Sequence, residues 1–152
     1  MRNIYILIFC VMTGVAAQAQ NLAERDLQGE WKLVSYKDPQ ATIDAIKGTF
    51  VLDADYKEDL TPEDIIEDER NYGILAKQYK VAVITFARNT VTQVIGNETY
   101  TGTFTLENSN NVSVITVTTD SGEEEDPAEI SIKDNMLYIT SDDDMELVYK
   151  KK

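Results

Sequence analysis

The chain has 152 residues, with 14 Lys and Arg against 27 Asp and Glu, no histidine and a single cysteine, for a formal net charge of −13. That balance argues against nucleic acid as a partner, because binding it depends on neutralising phosphates with cations. The missing imidazole rules out Ser-His-Asp and Cys-His catalysis, and a zinc site would have to be all-carboxylate, which zinc rarely accepts.

The chain opens MRNIYILIFCVMTGVAAQAQ, with one early positive charge at Arg2, an apolar run from Ile4 to Val15 and the small-x-small sequence Ala17-Gln18-Ala19. This pattern predicts a secretory signal peptide over residues 1–19, cut after Ala19, with the domain proper at 20–152. The apolar run is too short to span a bilayer, where roughly 20 residues are needed. Bulky Phe9 beside Cys10 argues against lipid attachment there. Cleavage takes away the sole cysteine, so the exported chain, periplasmic or secreted, must hold together through its core alone. About 130 residues remain, one domain's worth.

A first strand is expected at 28–36, within DLQGEWKLVSY, where the only tryptophan, Trp31, follows Gly29 by two positions. Residues 37–80 break the strand pattern. Pro39 precedes ATIDAIKG, which reads as a short helix ending at Gly48, and TFVLD as a short extended piece. Thr61-Pro62-Glu63-Asp64 is a helix start: an N-cap hydroxyl, proline in the first turn, and acids where the helix dipole favours them. Ile65, Ile66, Tyr72, Leu75 and Tyr79 continue it as an amphipathic stretch interrupted by Gly73. The segment is expected to form a helical lid or plug.

From residue 81 the sequence becomes short alternating runs between turn residues: 81–87, 90–95, 98–106, 111–119, 128–133, 135–140 and 144–150. ETYTGTFTL shows the alternation best, with Thr99, Thr101, Thr103 and Thr105 on one face and Tyr100, Gly102, Phe104 and Leu106 on the other. With 28–36 this makes eight strands joined in sequence. Such a set satisfies its edges by closing, and an eight-stranded barrel either fills with side chains or holds one small ligand. The expected fold is all-β: an eight-stranded antiparallel meander barrel with a lid insertion, residues 37–80, between its first two strands.

Leu27-Gln28-Gly29-Glu30-Trp31-Lys32-Leu33-Val34-Ser35 resembles the first strand of lipocalin-like domains, whose signature is Gly-x-Trp. The tail Met145 to Lys151 is similar to the closing strand of small bacterial lipocalin-like proteins, and the leader ending in Ala-Gln-Ala-Gln is similar to those of secreted Bacteroidetes proteins. The resemblance covers residues 26–150. It implies that Trp31 packs across the closed end of the barrel, with Gly29 as its structural companion. The second and third classical lipocalin motifs, with their arginine, are absent. The insertion is similar to the lid of intracellular fatty-acid-binding proteins, without their interior Arg-x-Tyr.

Meander topology assigns loops to ends. The end bearing the lid collects Asp120, Glu123 to Asp126, Asp142 to Asp144 and the lid's own acids; the opposite end carries Arg88, Lys133 and Lys150 to Lys152. An acidic collar repels anionic amphiphiles and favours neutral or cationic ones, or takes Ca²⁺ through loop carboxylates; equally, such loops serve solubility. Asp53-Ala54-Asp55 does not begin an EF-hand, lacking its sixth-position glycine and twelfth-position glutamate. There is no phosphate-cradling glycine loop and no Gly-x-Ser-x-Gly.

The leading expectation is an exported, non-enzymatic, cofactor-free barrel that binds a small apolar or amphipathic molecule. The candidate interior residues are Leu33, Ile84, Phe86, Tyr100, Phe104, Ile132, Ile139, Leu147 and Tyr149, with Tyr100 and Tyr149 as polar handles. The alternative is a solid barrel that docks a basic protein through its acidic loops, with Ca²⁺ as a possible modulator. Cavity volume separates the two.

Overall fold

The computed structural model describes residues 21–152, so the expected signal peptide lies outside the described residues. The elements run α1 (Glu24–Leu27), β1 (Gly29–Lys37), β2 (Ala41–Asp44), β3 (Thr49–Leu52), α2 (Ala54–Glu58), α3 (Pro62–Tyr79), β4 (Val83–Ala87), β5 (Thr90–Ile95), β6 (Glu98–Ser109), β7 (Val112–Thr119), β8 (Ala128–Lys133), β9 (Met136–Thr140) and β10 (Glu146–Lys151). Strands β4 to β10 pair antiparallel in sequence order, and β10 returns to β1. With Trp31 opposite Lys151 and Tyr36 opposite Leu147, the eight strands form a closed barrel. An all-β meander barrel is thus the architecture. The turns follow from their residues. Asn110-Asn111 and Asp134-Asn135 take left-handed φ of 51°, 65°, 52° and 64°, the two-residue geometry whose twist matches antiparallel strands. The first of these lets β6 continue to Ser109, beyond the expected end at 106.

One end is shut. Gly29 has φ of +111°, a conformation that a side chain disfavours, and this turns the chain from α1 into β1. Trp31, 1% exposed, then points inward and its Nε1 donates to Leu27 O at 2.7 Å. Lys151 Nζ lies 4.9 Å from the ring centroid. α1 is held beneath the barrel by Leu22 N donating to Ser113 Oγ at 3.0 Å and Asn108 Nδ2 donating to Leu22 O at 3.0 Å. Above this plug the interior is packed by Leu33, Phe86, Phe104, Leu137 and Tyr149, with Phe86 and Phe104 edge to face at 5.2 Å. Edge-to-face pairs are a favoured aromatic geometry.

The insertion differs from a purely helical lid. ATID is strand β2, not a helix: its four residues alternate buried and less buried and pair with Ser35 to Lys37 of β1 and with β3. Gly48 does end this piece, as a left-handed turn residue (φ +72°) between two strands. α3 runs unbroken through Gly73, where a Cβ would meet Phe50 Cε1 at an ordinary contact distance of 3.6 Å. It begins as its sequence requires, with Thr61 Oγ1 accepting from Asp64 N and Asp64 accepting from Thr61 N, both at 3.3 Å. The helix buries Tyr72 and Ala76 against Ala41, Ile43 and Leu52, a second small core. Tyr79 at the helix end joins both cores. The insertion therefore extends the sheet sideways from the upper half of β1, and its helix covers that extension. Among the described residues no helix is long and apolar enough to cross a membrane.

Candidate functional site

The upper half of the barrel is open. A cavity of about 580 Å³ has apolar walls from Ile84, Val91, Ile115, Val117, Ala128, Ile139 and Leu147. Ile84, Val91 and Ile115 are its buried lower part. Tyr149 closes the base, fully buried, its hydroxyl accepting from Gln93 Nε2 at 3.0 Å. Burial pushes the Tyr149 phenol well above the ordinary tyrosine value, against a smaller opposing effect of the Gln93 N–H, so the base is neutral at physiological pH.

The wall is built by the same alternation that builds the strands. On β7, Ile115, Val117 and Thr119 point inward in turn, from buried base to polar mouth. β8 pairs with β7 only from Ser113 to Ile115. Above that the chain from Asp120 to Pro127 folds back along β7, with Glu125 N donating to Val117 O at 2.8 Å. This brings Glu125 and Asp126 to the mouth beside Asp120, and the β9–β10 turn adds Asp143. Ser141 also faces the cavity; its Oγ is buried from water and has no partner among the described residues. Among the described residues no group of three or more metal-ligating side chains is gathered to hold an ion, so the calcium reading finds no assembled ligand set in these loops.

No protein-family model matches the chain, and no curated protein matches it. Among solved structures it is similar to a DUF4847 family protein from Bacteroides vulgatus ATCC 8482, at 14% identity and a TM-score of 0.47, over 83% of this chain and 94% of that one. The closed eight-stranded barrel rests on this chain's own strand register.

Of the nine residues expected inside, Ile84, Tyr100, Ile139, Leu147 and Tyr149 line the cavity. Leu33, Phe86 and Phe104 point inward too, but in the packed half, and Ile132 packs against that core at its edge. These four do not reach the opening. The two tyrosine handles part company. Tyr149 sits at the base, whereas Tyr100 stands half exposed at the mouth, its hydroxyl donating to Glu98. Gln93 and Ser141 went unnoticed in the sequence, although Gln93 stands between inward Val91 and Ile95 in TVTQVI, a polar residue on an apolar face. The expected lid does not line the cavity at all: no residue of α2 or α3 touches it.

The insertion has its own polar centre. Asp38 Oδ2 accepts from the hydroxyls of Tyr36 and Tyr72, each at 2.9 Å, and Oδ1 accepts from Gln40 N and Ala41 N at 2.8 and 2.7 Å. Burial first, and then Asp38, raise both tyrosines well above their usual value. Such a group, protonated more tightly when folded, gives stability that is complete below the unfolded value near 10 and falls as pH rises past it toward the folded value. Denaturant midpoints measured by circular dichroism are therefore expected to hold steady at neutral pH and drop from about pH 10 upward. Replacing Tyr149, whose shift has the same sign, by phenylalanine should flatten that drop.

Proposed function

We propose that the protein is an exported, non-enzymatic, lipocalin-like carrier whose barrel holds one small apolar or amphipathic molecule. The observation that carries this is the cavity of about 580 Å³ above a packed lower core, within the few hundred to about 1,000 Å³ usual for small-molecule sites and with their usual mixture of apolar wall and few polar groups. The carboxylates of the wall stand in loops at the mouth, away from the apolar base where a reaction would be shielded from water.

Native mass spectrometry of the protein purified from its own host's envelope, followed by organic extraction, tests the proposal. A stoichiometric small molecule is expected; a clean mass together with no saturable uptake of a neutral hydrophobic dye would sink it. Val117→Phe puts a ring into the cavity from the β7 wall; it is expected to cost about 1–3 kcal/mol of stability, the usual range of a small-to-large change, and to weaken dye binding at least about tenfold.

A second reading, a protein-interaction module, is favoured by a different surface from the acidic mouth. Ile46, Val51, Ile66, Ile74 and Val81 are all large, apolar and more than half exposed, and all five lie within or next to the insertion. Among the described residues β3 is moreover a free sheet edge, and free edges invite strand pairing. Val51→Lys should abolish docking there and leave dye binding in the barrel unchanged.

A further inference from the structure

We infer that the occupant is a short-chained cationic amphiphile, seated tail-down in the cavity with an ammonium head among the mouth carboxylates. This rests on the cavity being a ligand site. Three features of the opening point the same way. The first is sign: Asp120, Glu125, Asp126 and Asp143 line it, and among the described residues no lysine or arginine does. Lys150 and Lys151 stand at the opposite end, paired with Lys32 and Trp31 at the foot of β1. A cleft of one sign with low-dielectric walls focuses its field on an entering charge.

The second feature is Ser141. A buried hydroxyl without a partner costs roughly 1–3 kcal/mol, and this one, unpartnered among the described residues, lines the same cavity as the carboxylates. An N–H of an ammonium or amide next to the head group supplies what it lacks. Tyr100 adds a half-exposed ring at the same mouth, a surface that attracts cations.

The third is depth. Ile115 at the base and Thr119 at the mouth are on one strand, a separation of roughly 13 Å along it and about 10 Å along the barrel axis once strands tilt by 35–45°. That is short of the ~15 Å of one leaflet of bilayer hydrocarbon. A membrane lipid's full-length tail does not fit, whereas a medium alkyl chain does.

Calorimetric titration with decylammonium, decanol and decanoate, each below its aggregation threshold, tests the inference. Decylammonium is expected to bind at least about tenfold more tightly than decanoate at low ionic strength, with decanol between them, and the gap should narrow at physiological salt. The combined variant Asp120→Asn, Glu125→Gln, Asp126→Asn, Asp143→Asn should close the gap while keeping decanol affinity, and Ser141→Ala should weaken decylammonium. If decanoate binds as well as decylammonium, or the gap survives in the combined variant, the head-group inference is wrong and the cavity reading stands. If none of the three binds, both fall.

Discussion

Trp31→Ala is expected to destabilise the protein by about 3–5 kcal/mol, the usual cost of emptying a large aromatic site in a core. The ring is 1% exposed and its Nε1–H satisfies Leu27 O, so the substitution leaves both a hole and an unmet carbonyl at the junction of α1 and β1. Domains of this size are stable by only about 5–15 kcal/mol, so the loss is a large share of the whole. Trp31→Phe separates the two contributions: it keeps most of the volume and gives up the hydrogen bond, for about 1–3 kcal/mol. Urea unfolding followed by far-ultraviolet circular dichroism is the right measurement, because the substitution removes the chain's one tryptophan and with it the fluorescence signal. A loss below about 1 kcal/mol for Trp31→Ala would mean that the plug at the closed end does not carry the core. The cavity lies at the other end, so folded molecules of the variant should keep their ligand affinity.

That a tryptophan would stand at the closed end was readable from Gly-x-Trp, and the barrel itself from alternation. Once eight runs such as ETYTGTFTL each present one apolar face, sequential pairing and closure are the cheapest way to bury those faces and leave no edge. The start of α3 (Pro62–Tyr79) was readable because its signals are local: a hydroxyl, a proline and two acids in four residues. The β2–β3 hairpin was not, and ATID shows why. Four residues are too few to separate a period of two from one of 3.6. What decides between them lies far off in sequence, in the free upper half of β1 on one side and Tyr72 and Ala76 of α3 above.

The site was legible in direction but not in depth. Alternation shows which residues point inward; it does not show how high each stands in the barrel. Leu33, Phe86 and Phe104 point inward as truly as Ile84 and Ile139, yet they fall in the half that α1 closes. That four-residue helix has no periodic signal of its own, so the floor it creates was invisible. Ser141 belongs to a turn and comes to the wall only because β9 and β10 place it there.

Gly102 is where strand chemistry and the cavity meet, and Gly102→Ala is expected to cost about 1–3 kcal/mol, in the range of overpacked cores. A Cβ at this position would stand 2.5 Å from Thr118 O, 3.1 Å from Thr118 C and 3.2 Å from Val117 Cγ1. The two nearer atoms are backbone, so no rotamer change relieves the clash; β6 and β7 must move apart. The residue's φ is not left-handed, which makes the cost one of space and not of backbone conformation. A glycine inside a strand often marks such a close approach. Gly122→Ala is the matched control. Its φ is +86° with nothing within 4 Å, so it bears only the conformational penalty, about 1–2 kcal/mol, in a loop. The two variants should therefore differ less in melting than in binding. Spreading β6 from β7 alters the wall that holds Val117 and Thr119, so Gly102→Ala is expected to shift neutral-dye affinity severalfold, whereas Gly122→Ala leaves it in place. Equal dye affinities in the two variants would show that the close approach at Gly102 does not shape the cavity.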